Sequence, residues 1–193
     1  MERSTDMFDE RYVDSAIDAL RGRGVEFGPG LSDSALAAVA RAFGCQFPPE
    51  LKMFLGTAVP RGSGWTDWTR DANEIVAESR EHVARAFTFD VREGQYWLDQ
   101  FGPRPDDAEV AVRLAVSAVA EWPPLIPVYG HRFMPSKPEG PGNPVLSVYQ
   151  AVDSIYYGLD FADYLANEFD IPRPSWAGQH RREVPVWSEA FDL

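Results

Sequence analysis

The 193-residue chain is long enough for one domain with a real core, one that buries about 70% of its unfolded surface. Its 45% hydrophobic and 25% charged residues are ordinary globular usage, which excludes a disordered or fibrous chain. The charge is not ordinary: 18 Lys plus Arg against 30 Asp plus Glu leave −12, a surface that repels nucleic acid and anionic membrane and attracts basic partners.

Cys45 is the single cysteine, so no disulfide forms within the chain, and the opening MERSTDMFDERYVDS has no apolar stretch of signal-peptide type. A cytoplasmic protein is expected. The longest strongly apolar run, Leu114 to Ala120, is far shorter than the ~20 residues of a membrane span.

The first predicted helix covers Glu10 to Arg21, with Tyr12, Val13, Ala16, Ile17 and Leu20 on one stripe and glycines after it. GVEFGPG reads as a turn. A second helix starts at an N-cap on Ser32 or Asp33, buries Leu36, Val39, Ala40 and Phe43, and stops at Gly44. Pro48 and Pro49 suit the first turn of a third, whose Leu51, Phe54 and Leu55 face inward. Gly56 to Gly64 reads as turn and glycine-rich loop, and Trp65 to Trp68 as an aromatic strand or turn.

Asp71 to Phe87 has helical period, with Ile75, Ser79, Val83 and Phe87 in line. Asp90 to Gly102 is aromatic without a clear period. Asp106 to Ala120 reads as a helix with an acidic first turn, and its nearly continuous apolar body predicts burial on more than one side. Leu125 to Tyr129 reads as a buried strand ended at Gly130, and the proline-rich Pro135 to Pro144 as a loop. Val145 to Gln150 alternates, and with Ile155 to Tyr157 it makes a hairpin. Asp160 then caps a helix with Phe161, Leu165 and Phe169 on one face. The last stretch, 171–193, is rich in Pro and Trp and reads as an extension lying on the domain through Trp176, Trp187 and Phe191.

Few constellations carry chemistry. Gly22-Arg23-Gly24 and Gly62-Ser63-Gly64 lack the strand, helix and Lys-Ser/Thr of a phosphate cradle. His82, His131 and His180 show no metal-ligand spacing, so neither a metal nor a cofactor is expected. His131 follows a strand end, where side chains meet ligands, but no base partner can be named. Cys45 reads as a small buried apolar residue. No catalytic residue is assigned. The carboxylates Asp153, Asp160, Asp163 and Glu168, with Tyr157 and Tyr164 as aromatic anchors, could instead form an acidic face that docks on a basic protein.

The ordered set LIPVYGHRFMP, GNPVLSVYQ, IYYG and DFADYLANEF, with FPPELKMFL upstream, resembles the SUKH superfamily of Smi/Knr-type proteins. The glycine-rich turn after the third helix departs from the polar turn of many relatives. The resemblance implies a single α+β domain over residues 1–170, with helices packed on an antiparallel or mixed sheet, followed by the 171–193 extension. It also implies a non-catalytic binding protein. Bacterial members are largely immunity proteins that neutralise toxins, often nucleases, and an acidic surface can occupy a cleft built for nucleic acid. Two other classes stay open. One is a cytoplasmic scaffold or regulator, as fungal members are for cell-wall synthesis; it predicts an exposed apolar patch. The other is a small enzyme, which requires a cleft gathering His131, Arg132 and a carboxylate.

Overall fold

The computed structural model describes residues 8–191. Its first three helices start and stop where side-chain chemistry dictates. Helix α1 (Glu10–Gly22) is capped by Asp9, whose carboxylate accepts from Tyr12 N at 2.9 Å. Helix α2 (Asp33–Phe43) is capped by Ser32 and closed by Gly44 in the left-handed conformation, at φ 70°. Helix α3 (Pro49–Thr57) opens on its proline pair. All three bury the apolar stripes read from their sequences, around Leu20, Phe43 and Phe54.

Two segments that read as turns are strands. β1 (Glu26–Pro29) and β2 (Ala58–Arg61) pair antiparallel, Glu26 opposite Arg61. Each has only four residues. Glycine and proline in these segments are the local signals of a turn, and only the partner strand makes them a ladder. The chain then passes close to itself: a Cβ on Gly30 would lie 1.9 Å from the Gly56 carbonyl oxygen.

Helix α4 (Ala72–Arg92) begins at the Asp71 cap and buries Ile75, Ser79, Val83 and Phe87 as their spacing predicts. It runs past Phe87 because Asp90 and Val91 are buried as well. Helix α5 (Ala108–Ala120) packs along it and corrects an expectation. Its buried residues are Ala111, Val112, Ala115 and Val119, whereas Leu114 is 46% exposed, so one side is covered rather than several.

The main sheet comprises β3 (Leu125–Tyr129), β4 (Arg132–Pro135), β5 (Val145–Ser147) and β6 (Ile155–Gly158), antiparallel in sequence order. Ile126, Met134 and Val145 face the core shared with α1, α2 and α3; Leu125, Phe133 and Leu146 face α4 and the C-terminal segment. Both faces are covered, so Val145 to Val148 are all buried.

Helix α6 (Phe161–Phe169) follows the Asp160 cap and joins the first core through Phe161, Tyr164 and Leu165. The C-terminal segment crosses the molecule to the short helix α7 (Trp187–Ala190). Trp187 and Phe191 are core residues packed on Phe87, and Trp187 Nε1 donates to the Pro123 carbonyl at 2.9 Å. Trp176 packs edge-on against Tyr12, with ring centroids 5.2 Å apart. The architecture is α+β, with helices on both faces of an antiparallel sheet. No helix of the described residues is long and apolar enough to cross a membrane.

Candidate partner-binding surface

The acidic face expected on the hairpin and α6 does not form. Asp153 alone is well exposed, beside the exposed apolar side chains Val152 and Ile155. Tyr157 is half-buried beneath Arg132, whose guanidinium carbon lies 3.7 Å from the ring centroid. Glu168 accepts from Arg132 Nε at 2.8 Å, with side-chain exposures of 11% for the arginine and 15% for the glutamate. Tyr164 is fully buried and anchors nothing outside the core.

Asp163 is buried: its Oδ2 accepts from Leu159 N, and its Oδ1 lies 2.6 Å from Arg173 Nη1. Asp160 gives Oδ1 to Asp163 N, as an N-cap does, and Oδ2 to Gly178 N at 2.6 Å. The physical reason is the C-terminal segment. Arg173 and Gly178 come from it and cover the side of α6 that the helical period alone leaves to solvent.

His131, Arg132 and Cys45 are each engaged by their own surroundings. The His131 ring packs on Tyr149, while Arg132 is taken up by Glu168. Burial, then the charges of Arg132 and His82, hold the His131 pKa below its ordinary value. Cys45 is half-buried, and burial pushes its thiol up to about 11, which keeps it protonated at neutral pH.

One patch of exposed acid lies on the face made by α1, α2 and α3. Glu10, Asp14 and Asp33 line a shallow depression of about 550 Å³ along α3, and Lys52 is the one basic side chain among the described residues on its wall. Among the described residues none of the three carboxylates is ion-paired. The arginines that pair do so elsewhere, as Arg70 with Glu74 and Glu78, and Arg92 with Glu109.

A second cavity, of about 290 Å³, shares Pro49 and Met53 with this depression. Its lining includes two acidic residues, Glu50, in the first turn of α3, and Asp160. Glu50 is 5% exposed, and its Oε1 accepts from Gly142 N at 2.6 Å. The loop that offers Gly142 is itself fixed. Asn143 Nδ2 donates to the carbonyls of Pro135 at 2.8 Å and Pro138 at 2.9 Å. Arg182 donates to the carbonyls of Glu139 at 2.9 Å and Pro141 at 2.6 Å. Burial raises the Glu50 pKa against the opposing Gly142 bond, and burial followed by the Asp160 charge raises that of Tyr12. Glu50 and Arg182 are absent from the sequence-derived set. Their only local signals are an acid directly after a proline pair and a paired arginine in the Pro/Trp-rich stretch.

A third feature is apolar: Val83, Val116, Trp122, Pro123 and Pro124 line a groove of about 260 Å³ between α4 and α5. Searches against protein families, curated proteins and solved structures find no match to this chain.

Proposed function

We propose that this chain is a non-catalytic binding protein that receives a basic protein on the acidic face of α1, α2 and α3, and that it acts as an immunity protein neutralising a bacterial toxin. The observation that carries the reading is the depression lined by Glu10, Asp14 and Asp33, three carboxylates outside any ion pair among the described residues. Unpaired exposed carboxylates on a chain of net charge −12 speed the encounter with a basic surface and give it a salt dependence. The resemblance to SUKH proteins supports the immunity role, with a toxin nuclease the fitting partner for an acidic surface.

The test is recovery of bound proteins by the tagged full chain from its source cells at low and high salt. A basic toxin domain, held in stoichiometric amount at low salt and lost at high salt, is the expected result. It should also be lost to the double variant Glu10→Lys/Asp14→Lys. The groove between α4 and α5 favours a second reading, a cytoplasmic scaffold or regulator with an apolar partner. A salt-insensitive partner retained by the double variant would replace the first reading with that one.

A further inference from the structure

We propose that the cavity between the start of α3, the first turn of α6 and the C-terminal segment is a socket for a single guanidinium group, supplied by an arginine side chain of the partner. The proposal rests on the basic-partner reading only for the source of the cation.

The cavity combines an apolar lining with two acidic residues. Phe8, Met53, Phe161 and Trp176 are part of the apolar lining, and the Phe8 and Phe161 ring centroids are 5.8 Å apart. Glu50 Oε2 is buried and has no hydrogen-bond partner among the described residues. Its sister oxygen takes the Gly142 amide, so the loop contact accounts for half of the carboxylate, and Glu50 is among the residues that line the cavity. A buried carboxylate oxygen without a donor is costly, and a ligand that brings a charged donor removes that cost.

None of the described residues that line the cavity is basic. The cation closest in influence is Arg182, whose donors go to the carbonyls of the Gly142 loop and to Asn143 Oδ1 at 3.0 Å. Asp160 adds a second negative charge while capping α6 and holding Gly178.

The shape narrows the ligand. A volume of about 290 Å³ sits at the lower edge of small-molecule pockets, roughly 300–1,000 Å³, and suits one side chain rather than a large cofactor. Guanidinium is more weakly hydrated than ammonium and stacks on aromatic faces, which fits a site walled by phenylalanine and tryptophan.

The test is titration of the full chain with propylguanidinium, with neutral propylurea, and with an end-capped Gly-Arg-Gly peptide. The readouts are the NMR signals of the Gly142 and Gly178 amides and the Trp176 indole. Propylguanidinium should shift all three saturably and propylurea should not. Glu50→Gln, which keeps an acceptor for Gly142, should weaken binding at least tenfold, and the dispersion of the same spectra reports its folding. Trp176→Leu should weaken binding with Glu50 intact.

Equal shifts from urea and guanidinium, or unchanged affinity in Glu50→Gln, would overturn the socket. The capped peptide should bind at least as tightly as propylguanidinium. If only the small cation binds, the socket stands and its assignment to a partner's arginine falls. If the peptide binds yet no salt-sensitive partner is recovered from cells, the socket stands and the proposed function falls.

Discussion

Arg132 and Glu168 form an ion pair inside the molecule: Nε lies 2.8 Å from Oε2, and the same guanidinium covers the Tyr157 ring and donates to Ser147 Oγ at 2.8 Å. The pair ties β4 to the last turn of α6. Removing one member of such a pair leaves the other charged, desolvated and unpaired, which costs about 3–5 kcal/mol. Glu168→Ala should therefore lower stability by that order in urea unfolding. Asp153→Lys, on the exposed end of the same hairpin, should stay within about 0.5 kcal/mol of wild type. Equal, small effects from both would mean that the pair is solvated and that α6 presents Glu168 outward after all.

That contrast locates the limit of what the sequence reveals here. Helix starts are local chemistry, so Ser32, Pro49, Asp71 and Asp160 are legible from a few neighbouring residues. The stripe Ile75, Ser79, Val83 and Phe87 is equally local. Strands β1 and β2 are not, because each is made a strand by a partner about thirty positions away. The acidic face failed for a related reason. Period places Asp160, Asp163, Tyr164 and Glu168 near one another on α6, but it cannot show that Arg173 and Gly178 arrive at Asp163 and Asp160, that Arg132 takes Glu168, or that Tyr164 faces the core. Glu50 was missed because its partner, Gly142, belongs to a loop whose shape depends on Asn143 and Arg182.

Arg182 holds that loop by donating to backbone carbonyls on both sides of Gly140 and to the Asn143 side chain. Hydrogen bonds from a charged donor are worth about 1.5–3 kcal/mol net, and here several share one side chain. Arg182→Ala should cost roughly 2 kcal/mol and speed hydrogen exchange at the Gly142 amide at least tenfold. Arg182→Lys should recover little, since an ammonium lacks the planar fork that reaches several acceptors at once. Unaltered exchange at Gly142 in Arg182→Ala would show that Asn143 alone sets the loop.

Gly158 ends β6 where α6 packs directly on the strand. A Cβ there would stand 2.5 Å from the Tyr164 Cα and 2.6 Å from its backbone nitrogen, and neither atom can rotate away. Gly158→Ala must push the helix off the strand, an overpacking that costs about 1–3 kcal/mol. Because Tyr164 is buried beside the Arg132–Glu168 pair, the displacement should also disturb that pair. A double-mutant cycle of Gly158→Ala with Glu168→Gln should therefore be non-additive by at least about 0.5 kcal/mol. Strict additivity would confine the strain to the glycine itself.

Glu50 gives the fold a pH dependence whose sign follows from its surroundings. Burial raises its pKa, the Gly142 bond opposes this, Asp160 adds to the rise and Arg182 subtracts from it. The folded state thus holds the Glu50 proton more tightly than the unfolded chain does. Stability from this residue is complete below the ordinary glutamate value of about 4.3 and declines as pH climbs from there to the raised folded value. Glu50→Gln cannot ionise and escapes that decline, so its urea midpoint should gain on the wild type through this window and then run parallel above it. Propylguanidinium, by supplying the missing donor, should narrow the same gap at neutral pH in the wild type alone. Midpoints that run parallel from pH 4 to pH 8 would mean that Glu50 ionises in the fold as freely as in the unfolded chain.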